Sequence, residues 1–379
     1  MRPGPLEAAA CWVYGSLPDA PHPGSRSSPR RALDDVIRPA LTNGPCFVTF
    51  SGGRDSSAVL AAATALARRE DLPLPIPVTK VYPDLPEADE ESWQRMVIEH
   101  LGLADWVRLE FRNGEAELLG DAARAAVRRH GVLWPPAMQA AEAVYTRIGA
   151  GSLLTGEGGD AVLGPRRIDP LLALGRSRRP HRRLLSAAAV AASPRPVRRR
   201  IVERAVSESH QSRWLRPEAL ARHARLYADD TAAERLRADL GAWSYTRLRA
   251  FATVTHNRVA SAAEHGIRAS DPLLDPGFVA ALAREGGRRG FGGRTATMTA
   301  LFADVLPPAL LARGTKASFG RAHNGEGTRA FAREWDGTGV DHALVDADRL
   351  RAVWLSDQPT MAAGVLLHQA WLAAGGPEL

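Results

Sequence analysis

A segment of seven residues rich in glycine and hydroxyl groups is the first part of this sequence that points to chemistry. It runs Ser51-Gly52-Gly53-Arg54-Asp55-Ser56-Ser57, between a short hydrophobic run and an alanine-rich stretch typical of a helix. At such a turn the backbone N–H groups and the helix dipole converge on an anion, glycines let the backbone approach it, and hydroxyls donate further hydrogen bonds. The segment therefore predicts a phosphate-binding loop, although no lysine follows it as in the GxxxxGK[ST] loop.

The acidic residue inside this loop adds a condition. Asp55 would repel a phosphate unless a cation lay between the two, so its presence predicts Mg²⁺ between the carboxylate and a polyphosphate. A turn capped by serine and aspartate would explain the same residues without a ligand. Capping alone does not require two glycines and three hydroxyls together, so the nucleotide site is favoured.

The elements that must position this loop alternate between strand and helix. Short apolar runs typical of buried parallel strands occupy residues 46–50, 76–82, 106–111 and 152–155, and stretches that predict helices occupy residues 32–41, 57–69, 90–101, 115–129 and 137–148. The alternation predicts an α/β fold with a doubly wound parallel sheet covered on both faces. Because the last run ends in a second glycine turn, Gly156-Glu157-Gly158-Gly159-Asp160, two glycine loops follow strand ends, where such sheets bind ligands.

The rest of the chain differs from this α/β segment. Residues 1–30 are rich in Pro, Gly and Ser and predict an N-terminal extension, whereas residues 31–165 are expected to form the nucleotide-binding domain. No strand pattern is evident beyond Leu163, so residues 166–379 are expected to be mainly helical. Within them residues 166–200 hold eleven arginines interspersed with prolines, which predicts a mobile basic loop or short broken helices.

Composition excludes several classes of protein. The chain has 379 residues, of which 45% are hydrophobic and 24% charged, close to the average for globular proteins and unlike fibrous or disordered chains. No apolar run is long enough for a membrane span, so none is expected. The two cysteines, Cys11 and Cys46, are too few for a disulfide framework or a four-cysteine zinc site, and a cytoplasmic location is expected.

Arginine carries almost all of the positive charge. Of 49 basic residues only Lys80 and Lys316 are lysines, so any role that needs an ammonium group has two candidates. The formal net charge of +7 suits an anionic partner such as a nucleotide or a nucleic acid, without choosing between them. An arginine-coated surface without such a role is favoured over nucleic-acid binding.

Together these features resemble the ATP pyrophosphatase superfamily, whose SGGxDS loop holds the pyrophosphate of ATP while an oxygen of the substrate is adenylated. The second loop narrows the resemblance, because Leu154-Thr155-Gly156-Glu157-Gly158-Gly159-Asp160-Ala161-Val162-Leu163-Gly164 is similar to the asparagine synthetase signature SGEGGDElfgGY. Residues 264–275 and 306–319 resemble two further segments of that family, GvEvRxPfLD and LPxxvxxRxKxxF.

The resemblance implies roles for individual residues. ATP and its pyrophosphate would be bound by Ser51, Gly52, Gly53, Asp55, Ser56, Ser57 and Gly156. Asp55 and Asp160 would hold Mg²⁺ from separate loops, although Asp160 could instead cap the next helix. Lys316 falls on the family lysine that stabilises charge on the adenylate and the tetrahedral intermediate, the alternative being a surface lysine. Glu157 is a candidate general base, unless it only holds backbone amides.

The sequence also departs from the family pattern. In GvEvR the Glu and Arg positions hold Arg268 and Ser270, so a family ion pair that shapes the pocket is absent and a different substrate pocket is expected. Residues 241–243, which align loosely with the helix where members keep a glutamate, hold no acid. Glutamine-dependent members begin with a cysteine after Met1 and a glutaminase domain, whereas Arg2 follows here, so no glutamine hydrolysis is expected.

The resemblance spans about residues 32–322 and implies an ATP- and Mg²⁺-dependent synthetase that adenylates a carboxylate and couples it to an amine. The similarity to β-lactam and lasso-peptide macrolactam synthetases implies a small-molecule or peptide substrate, specialised metabolism, and a separate precursor-processing protein as partner. Ammonia from another protein is the alternative source of the amine. Neither a nucleic acid nor a membrane is an expected partner.

Two alternative functions follow from particular features of the sequence. An RNA-modifying enzyme of the same superfamily would use the basic stretch at residues 166–200. A degenerate protein that only binds nucleotide or peptide would explain Arg268 and Ser270. The matches to the GEGGD and RxKxxF motifs count against the RNA-modifying enzyme, and the presence of Asp55, Asp160 and Lys316 counts against the degenerate protein.

Replacement of Lys316 tests its expected role. Lys316→Ala should lower the rate of amide formation by about 10²–10³, because a fixed ammonium group stabilises the negative charge that develops on oxygen in both steps. Lys316→Arg should also be impaired, since arginine keeps the charge but not the compact donor geometry. ATP affinity, measured in parallel, should change much less. Turnover of Lys316→Ala within about threefold of wild type would make Lys316 a surface residue.

Overall fold

A parallel β-sheet organises the part of the chain that the computed structural model describes, residues 2–18, 24, 26–112, 114–315, 319–357 and 359–376. Its strands are β1 (Cys46–Thr49), β2 (Ile76–Val81), β3 (Val107–Glu110), β4 (Gly151–Leu154) and β5 (Ile267–Ser270). They are ordered β3-β2-β1-β4-β5, and every neighbouring pair is parallel. The expected α/β fold with a parallel sheet is confirmed.

Helices connect and cover these strands. In the first half they are α1 (Pro5–Ala10), α2 (Pro29–Thr42), α3 (Arg54–Glu70), α4 (Glu91–Leu101), α5 (Asp121–His130), α6 (Ala137–Ala140), α7 (Glu142–Ile148) and α8 (Gly159–Val162). The second half adds α9 (Asp169–Arg176), α10 (Arg182–Ala192), α11 (Arg195–Ser207), α12 (Pro217–Ala232), α13 (Ala238–Thr246), α14 (Arg249–Ala263), α15 (Pro276–Gly286), α16 (Arg294–Phe302), α17 (Pro308–Leu311), α18 (Gly320–His323), α19 (Glu326–Glu334), α20 (Ala347–Trp354) and α21 (Gly364–Ala373). Among the described residues, no helix combines the length and the apolar character that crossing a membrane requires.

Strands β1 and β4 lie at the point where the strand order of the sheet reverses. From β1 the chain moves through β2 to β3 on one side, and it then returns to add β4 and β5 on the other. Val48 of β1 is in register with Leu154 of β4, so the two strands end side by side. Ligands of open α/β sheets bind outside the carboxyl ends of the strands at this switch point.

The centre of the sheet is buried on both faces because its strands carry apolar residues and the helix after β1 carries small ones. Val48 and Leu154 are both 0% exposed. Ala58, Ala61 and Ala62 of α3 are also fully buried, and side chains this small let the helix approach the sheet closely. The position of the α3 N-terminus over the end of β1 is therefore fixed by the core rather than by surface contacts.

Strand β5 is the element that the sequence pattern did not predict. It pairs with β4 at the edge of the sheet, and of its residues only Ile267 is buried. Arg268 and Ser270 give it no apolar run, because an edge strand with partly exposed side chains does not need one. The expectation that no strand follows Leu163 is therefore wrong.

The N-terminal segment differs from the extension that its composition predicts. Leu6 and Ala9 of α1 pack in one hydrophobic cluster with Trp214 and Trp371, residues far away in the sequence. The indole Nε1 of Trp214 donates a hydrogen bond of 2.8 Å to the carbonyl of Ala9. The prolines of residues 1–30 stop helices without excluding the short apolar stretch between them from the core.

The arginine-rich segment, residues 166–200, contains α9 and α10 and the first part of α11, so short helices are the form it takes rather than a loop. Part of its charge is turned inward. Arg167 donates through Nε to the carbonyl of Ala191 at 2.9 Å, and Arg198 donates through Nη2 to the carbonyl of Ala232 at 2.7 Å. Burial lowers the pKa of both guanidinium groups. These arginines fasten helix ends, which is a structural use of the charge.

Acid should destabilise the fold through a buried histidine. His368 of α21 is 0% exposed, and its Nε2 donates to the carbonyl of Leu118 at 2.7 Å. Burial lowers its pKa to about 4, despite that hydrogen bond, from an ordinary value near 6.5. Because the unfolded chain takes up this proton first, stability is lost as the pH falls from about 6.5 to 4, by about 2–3 kcal/mol for this histidine.

Unfolding in urea at pH 7.5 and pH 4.5 measures this effect. His368→Gln should reduce the loss of unfolding free energy between the two pH values, whereas His256→Gln, at an exposed position, should leave it unchanged. Part of the acid sensitivity should remain, because burial and the nearby Lys80 also lower the pKa of His323 to about 4. An unchanged pH dependence in His368→Gln would contradict the assignment.

Candidate functional site

An open cleft of about 630 Å³ lies at the carboxyl edge of the sheet, above the ends of β1 and β4. Its charged lining residues are Arg54, Asp55, Lys80, Glu90, Glu157, Asp160, Arg258, Arg294 and Arg313. Five of these side chains are basic and four are acidic, so the cleft can attract a polyanion and also hold a cation beside it. It is the place that the two glycine loops predict for a nucleotide.

The first loop presents the start of α3 to this cleft. Gly53 is the N-cap residue and provides no side chain, so no side chain occupies the first amides of the 17-residue helix. Ser51 and Ser56 hold the loop in shape, with their hydroxyl oxygens 3.2 Å apart and the amide of Gly53 donating to Ser51 Oγ at 3.3 Å. A helix N-terminus with accessible amides favours an anion.

Two of the predicted loop residues do not line the cleft. Gly52 is buried and has φ of 78°, a left-handed conformation that favours glycine, so its contribution is the shape of the turn. Ser57 is 0% exposed and lies one turn into α3, where its hydroxyl forms no hydrogen bond. The expectation that Ser57 contacts the nucleotide is thus not matched by its position, whereas Ser51, Gly53 and Ser56 do line the cleft.

The second loop touches the first, and its glycines make that contact sterically feasible. A Cβ atom on Gly156 would lie 2.6 Å from the backbone nitrogen of Ser56, and one on Gly159 would lie 2.3 Å from Cγ of Asp55. Both distances are too short for any side chain, so glycine is required at each position. The contact brings Asp160, the first-turn acid of α8, to the same side of the cleft as Asp55.

The two predicted metal ligands meet at one guanidinium group. Nη2 of Arg294 lies 2.8 Å and 2.7 Å from the two carboxylate oxygens of Asp55, and its Nη1 contacts Oδ1 of Asp160. Burial would lower the pKa of Arg294, but the two carboxylates outweigh burial and raise it. Asp55 and Asp160 thus converge on a single cation, as carboxylates that bind Mg²⁺ must.

Arg294 was not predicted, because it lies outside the segments that resemble the family. It is the first residue of α16 and follows a glycine-rich turn, Gly290 to Gly293, yet it contacts an aspartate 239 residues earlier. That glycine turn directly before a helix is the signal that could have identified it. Arg54, inside the first loop, is a second cation at this point, and burial together with Arg294 lowers its pKa.

Glu157, which is partly exposed to the cleft, is held by a network of buried side chains. Arg258 of α14 donates through Nη2 to Glu157 at 2.6 Å, and its Nε lies 3.1 Å from Asp271. Asp271 also accepts from Thr155 at 2.5 Å and from Thr255 at 2.9 Å. Burial would lower the pKa of Arg258, but the carboxylates of Asp271 and Glu157 outweigh burial and raise it. The network fixes the second loop to α14 and to the end of β5.

This network bears on residues 268 and 270, where the sequence lacks the ion pair of the family pattern. Arg268 donates to the carbonyl of Asn43, which lies just before the start of β1. Neither Arg268 nor Ser270 lines the cleft. The pair of Arg258 and Asp271 places an ion pair directly after β5 instead. An ion pair beside the pocket is therefore present, although it is built from residues that the sequence comparison did not consider.

A second buried ion pair, between Arg313 and Glu90, lies just before the predicted catalytic lysine in the sequence. Arg313 donates through Nη2 to Glu90 at 2.6 Å, donates through Nη1 to the carbonyl of Gly52 at 3.0 Å, and lies 4.6 Å from the centre of the Trp93 ring. It fixes the start of the segment that carries Lys316 to the first glycine loop. Lys316 itself lies outside the described residues.

Replacing Arg294 should separate two effects of its charge. Arg294→Ala should slow pyrophosphate release by about 10²-fold, because a cation that faces the phosphates is lost. The same change should strengthen binding of Mg²⁺ without nucleotide, because the cation that competes for Asp55 and Asp160 is gone. Steady-state kinetics and isothermal titration with MgCl₂ give the two readouts. Arg288→Ala, at an exposed position near the same turn, is the control, and equal behaviour of both variants would exclude a role for Arg294.

Comparison with known proteins agrees with this arrangement. A search among curated proteins found no significant relative. The family model described as asparagine synthase, by contrast, matches residues 30–373, which include the sheet, both glycine loops, the helices that carry Arg258 and Arg294, and Arg313. Since this match covers most of the 379 residues, the chain belongs to the asparagine synthase family, whose members are ATP-dependent carbon–nitrogen ligases.

Proposed function

We propose that this protein is an AMP-forming synthetase that activates a carboxylate with ATP and joins it to an amine. One observation carries the proposal: Asp55 and Asp160, from two touching glycine loops, converge on one cation beside the open N-terminus of α3. This is the set of groups that a metal-bound triphosphate requires.

Different residues of the cleft would bind the phosphates of ATP and its metal ion. The amides at the start of α3 and the hydroxyls of Ser51 and Ser56 would bind the β and γ phosphates, with Arg54 and Arg294 as neighbouring cations. Asp55 and Asp160 fit Mg²⁺ because they are oxygen ligands that already share one cation. When bound, Mg²⁺ would neutralise charge on the departing pyrophosphate.

The proposed chemistry has two displacement steps. A carboxylate oxygen of the substrate attacks the α-phosphorus, forming an O–P bond while the bond to pyrophosphate breaks. An amine then attacks the acyl carbon, forming the C–N bond while AMP leaves and a base takes the proton from nitrogen. Lys316 is our candidate for stabilising the charge on oxygen in both steps.

Glu157 is our candidate for the base. It lines the cleft, and its side chain is 37% exposed even though Arg258 contacts it at 2.6 Å. An arriving amine could share the carboxylate with Arg258, which would keep the carboxylate oriented. The alternative, that Glu157 only anchors the second loop to α14, predicts that Glu157→Gln affects stability more than turnover.

The substrate is proposed by class alone. We propose a small-molecule or peptide carboxylate, with the amine in the same molecule or in a second one, which would enter the open cleft beside ATP. A specialised-metabolite amide, a lactam or a peptide macrolactam would be the product. Ammonia from a separate protein is the other source of nitrogen.

The proposed function is tested by identifying the products that the enzyme forms from ATP. With a panel of amino acids, β-amino acids and short peptides, substrate-dependent cleavage should yield AMP and pyrophosphate, because the first loop holds the leaving pyrophosphate. Hydroxylamine should trap the activated carboxylate as a hydroxamate.

Variants of the two aspartates provide the control for this experiment. Asp55→Asn and Asp160→Asn should abolish hydroxamate formation, whereas Asp105→Asn, at an exposed position away from the cleft, should not. Substrate-dependent formation of ADP and phosphate would show a ligase of another mechanism. Full turnover by either cleft variant would refute the metal assignment.

A further inference from the structure

A second group of ionisable side chains, outside the cleft, lies where three helices end or begin. His130 is the last residue of α5, Glu142 is the first residue of α7, and Glu264 directly follows α14. One potential ligand atom from each residue lies within 4.8 Å of the other two. We call this group the His130 cluster.

Glu142 is the buried member of the His130 cluster, and one of its oxygens has no hydrogen bond. The residue is 1% exposed. Its Oε1 accepts from Nη2 of Arg129 and from Nε2 of His265, both at 2.8 Å, whereas Oε2 is buried without a hydrogen-bond partner. A buried carboxylate oxygen in this state costs free energy unless a donor or a cation reaches it.

His130 contributes a nitrogen that is also buried without a hydrogen-bond partner. This atom, Nε2, lies 3.3 Å from Oε2 of Glu264. A tetrahedral zinc ion with bonds of about 2.0–2.1 Å has neighbouring ligand atoms about 3.3 Å apart. The nitrogen of His130 and the oxygen of Glu264 already have that spacing. Glu264, whose side chain is 40% exposed, is free to adjust toward Glu142.

The contacts around the His130 cluster orient its ligand atoms. Arg129 and His265 both donate to Oε1 of Glu142, which fixes the carboxylate and leaves Oε2 as the oxygen available to a cation. Hydrogen bonds of this kind to a ligating group are the usual outer support of a metal site. Arg129 also lies 3.1 Å from Glu264, so one guanidinium group contacts both carboxylates of the cluster.

We propose that His130, Glu142 and Glu264 bind one Zn²⁺ ion, or a divalent transition-metal ion of similar chemistry, with water completing the coordination. One imidazole nitrogen and two carboxylate oxygens select this class of ion over Mg²⁺ and Ca²⁺, which take oxygen ligands alone. The ion would join the ends of α5, α7 and α14. It is a different site from the Asp55 and Asp160 pair, and it requires no substrate.

Zinc binding to untagged protein, stripped with a chelator, tests the proposal. Isothermal titration with ZnCl₂ should show one saturable site that an excess of MgCl₂ does not occupy. His130→Gln and Glu264→Gln should each weaken this binding by at least about tenfold, and His265→Gln, which removes an outer contact, by about 10–100-fold. Co²⁺ in place of Zn²⁺ should give a visible absorption spectrum that is lost in His130→Gln.

Matched variants decide whether the His130 cluster is the site. His256→Gln on α14 and Glu285→Gln on α15 are exposed replacements of the same types and should bind Zn²⁺ like wild type. Asp160→Asn should also retain binding, because it changes the cleft alone. Far-UV circular dichroism confirms folding, and the buried Glu142 is left in place. Absence of saturable binding in wild type, or unchanged binding in His130→Gln and Glu264→Gln, overturns the proposal, as does loss of binding in Asp160→Asn.

Discussion

The contact between the two glycine loops is the constraint on which the rest of the site depends. It brings the carboxylates of Asp55 and Asp160 together, and like charges at such proximity repel one another unless a cation lies between them. Arg294 provides that cation, from a helix that begins more than a hundred residues after either aspartate. The position of Arg294 at the start of α16 therefore offsets the repulsion between the two aspartates.

Local patterns were sufficient to predict strands β1 to β4 and the two glycine loops. The loop at residues 51–57 and the turn at 156–160 obey rules that act over a few residues, namely an apolar strand, glycines and an N-terminal helix turn. Parallel pairing then brings both loops to one edge of the sheet. Strand β5 escaped prediction because an edge strand needs no apolar run, and α1 because its composition gives no sign that it packs against the end of the chain.

The ion pairs that complete the site could not be predicted in the same way. Arg258 meets Glu157 across 101 residues, and Arg313 meets Glu90 across 223. In a chain where nearly every cation is arginine, residue type alone does not separate these arginines from those that fasten helix ends, such as Arg167 and Arg198. Their partners separate them, because Arg258 and Arg313 contact carboxylates of distant elements, whereas the side chains of Arg167 and Arg198 donate to backbone carbonyls.

Helix α14 connects the two parts of the molecule that carry unusual charge. Arg258 of this helix contacts Glu157 and Asp271 at the cleft, whereas His265, just after its end, contacts Glu142 of α7. Val144, in the first turn of α7, lines the cleft. The contact of His265 with Glu142 therefore helps to set the position of α7, the helix that contributes Val144 to the wall of the cleft.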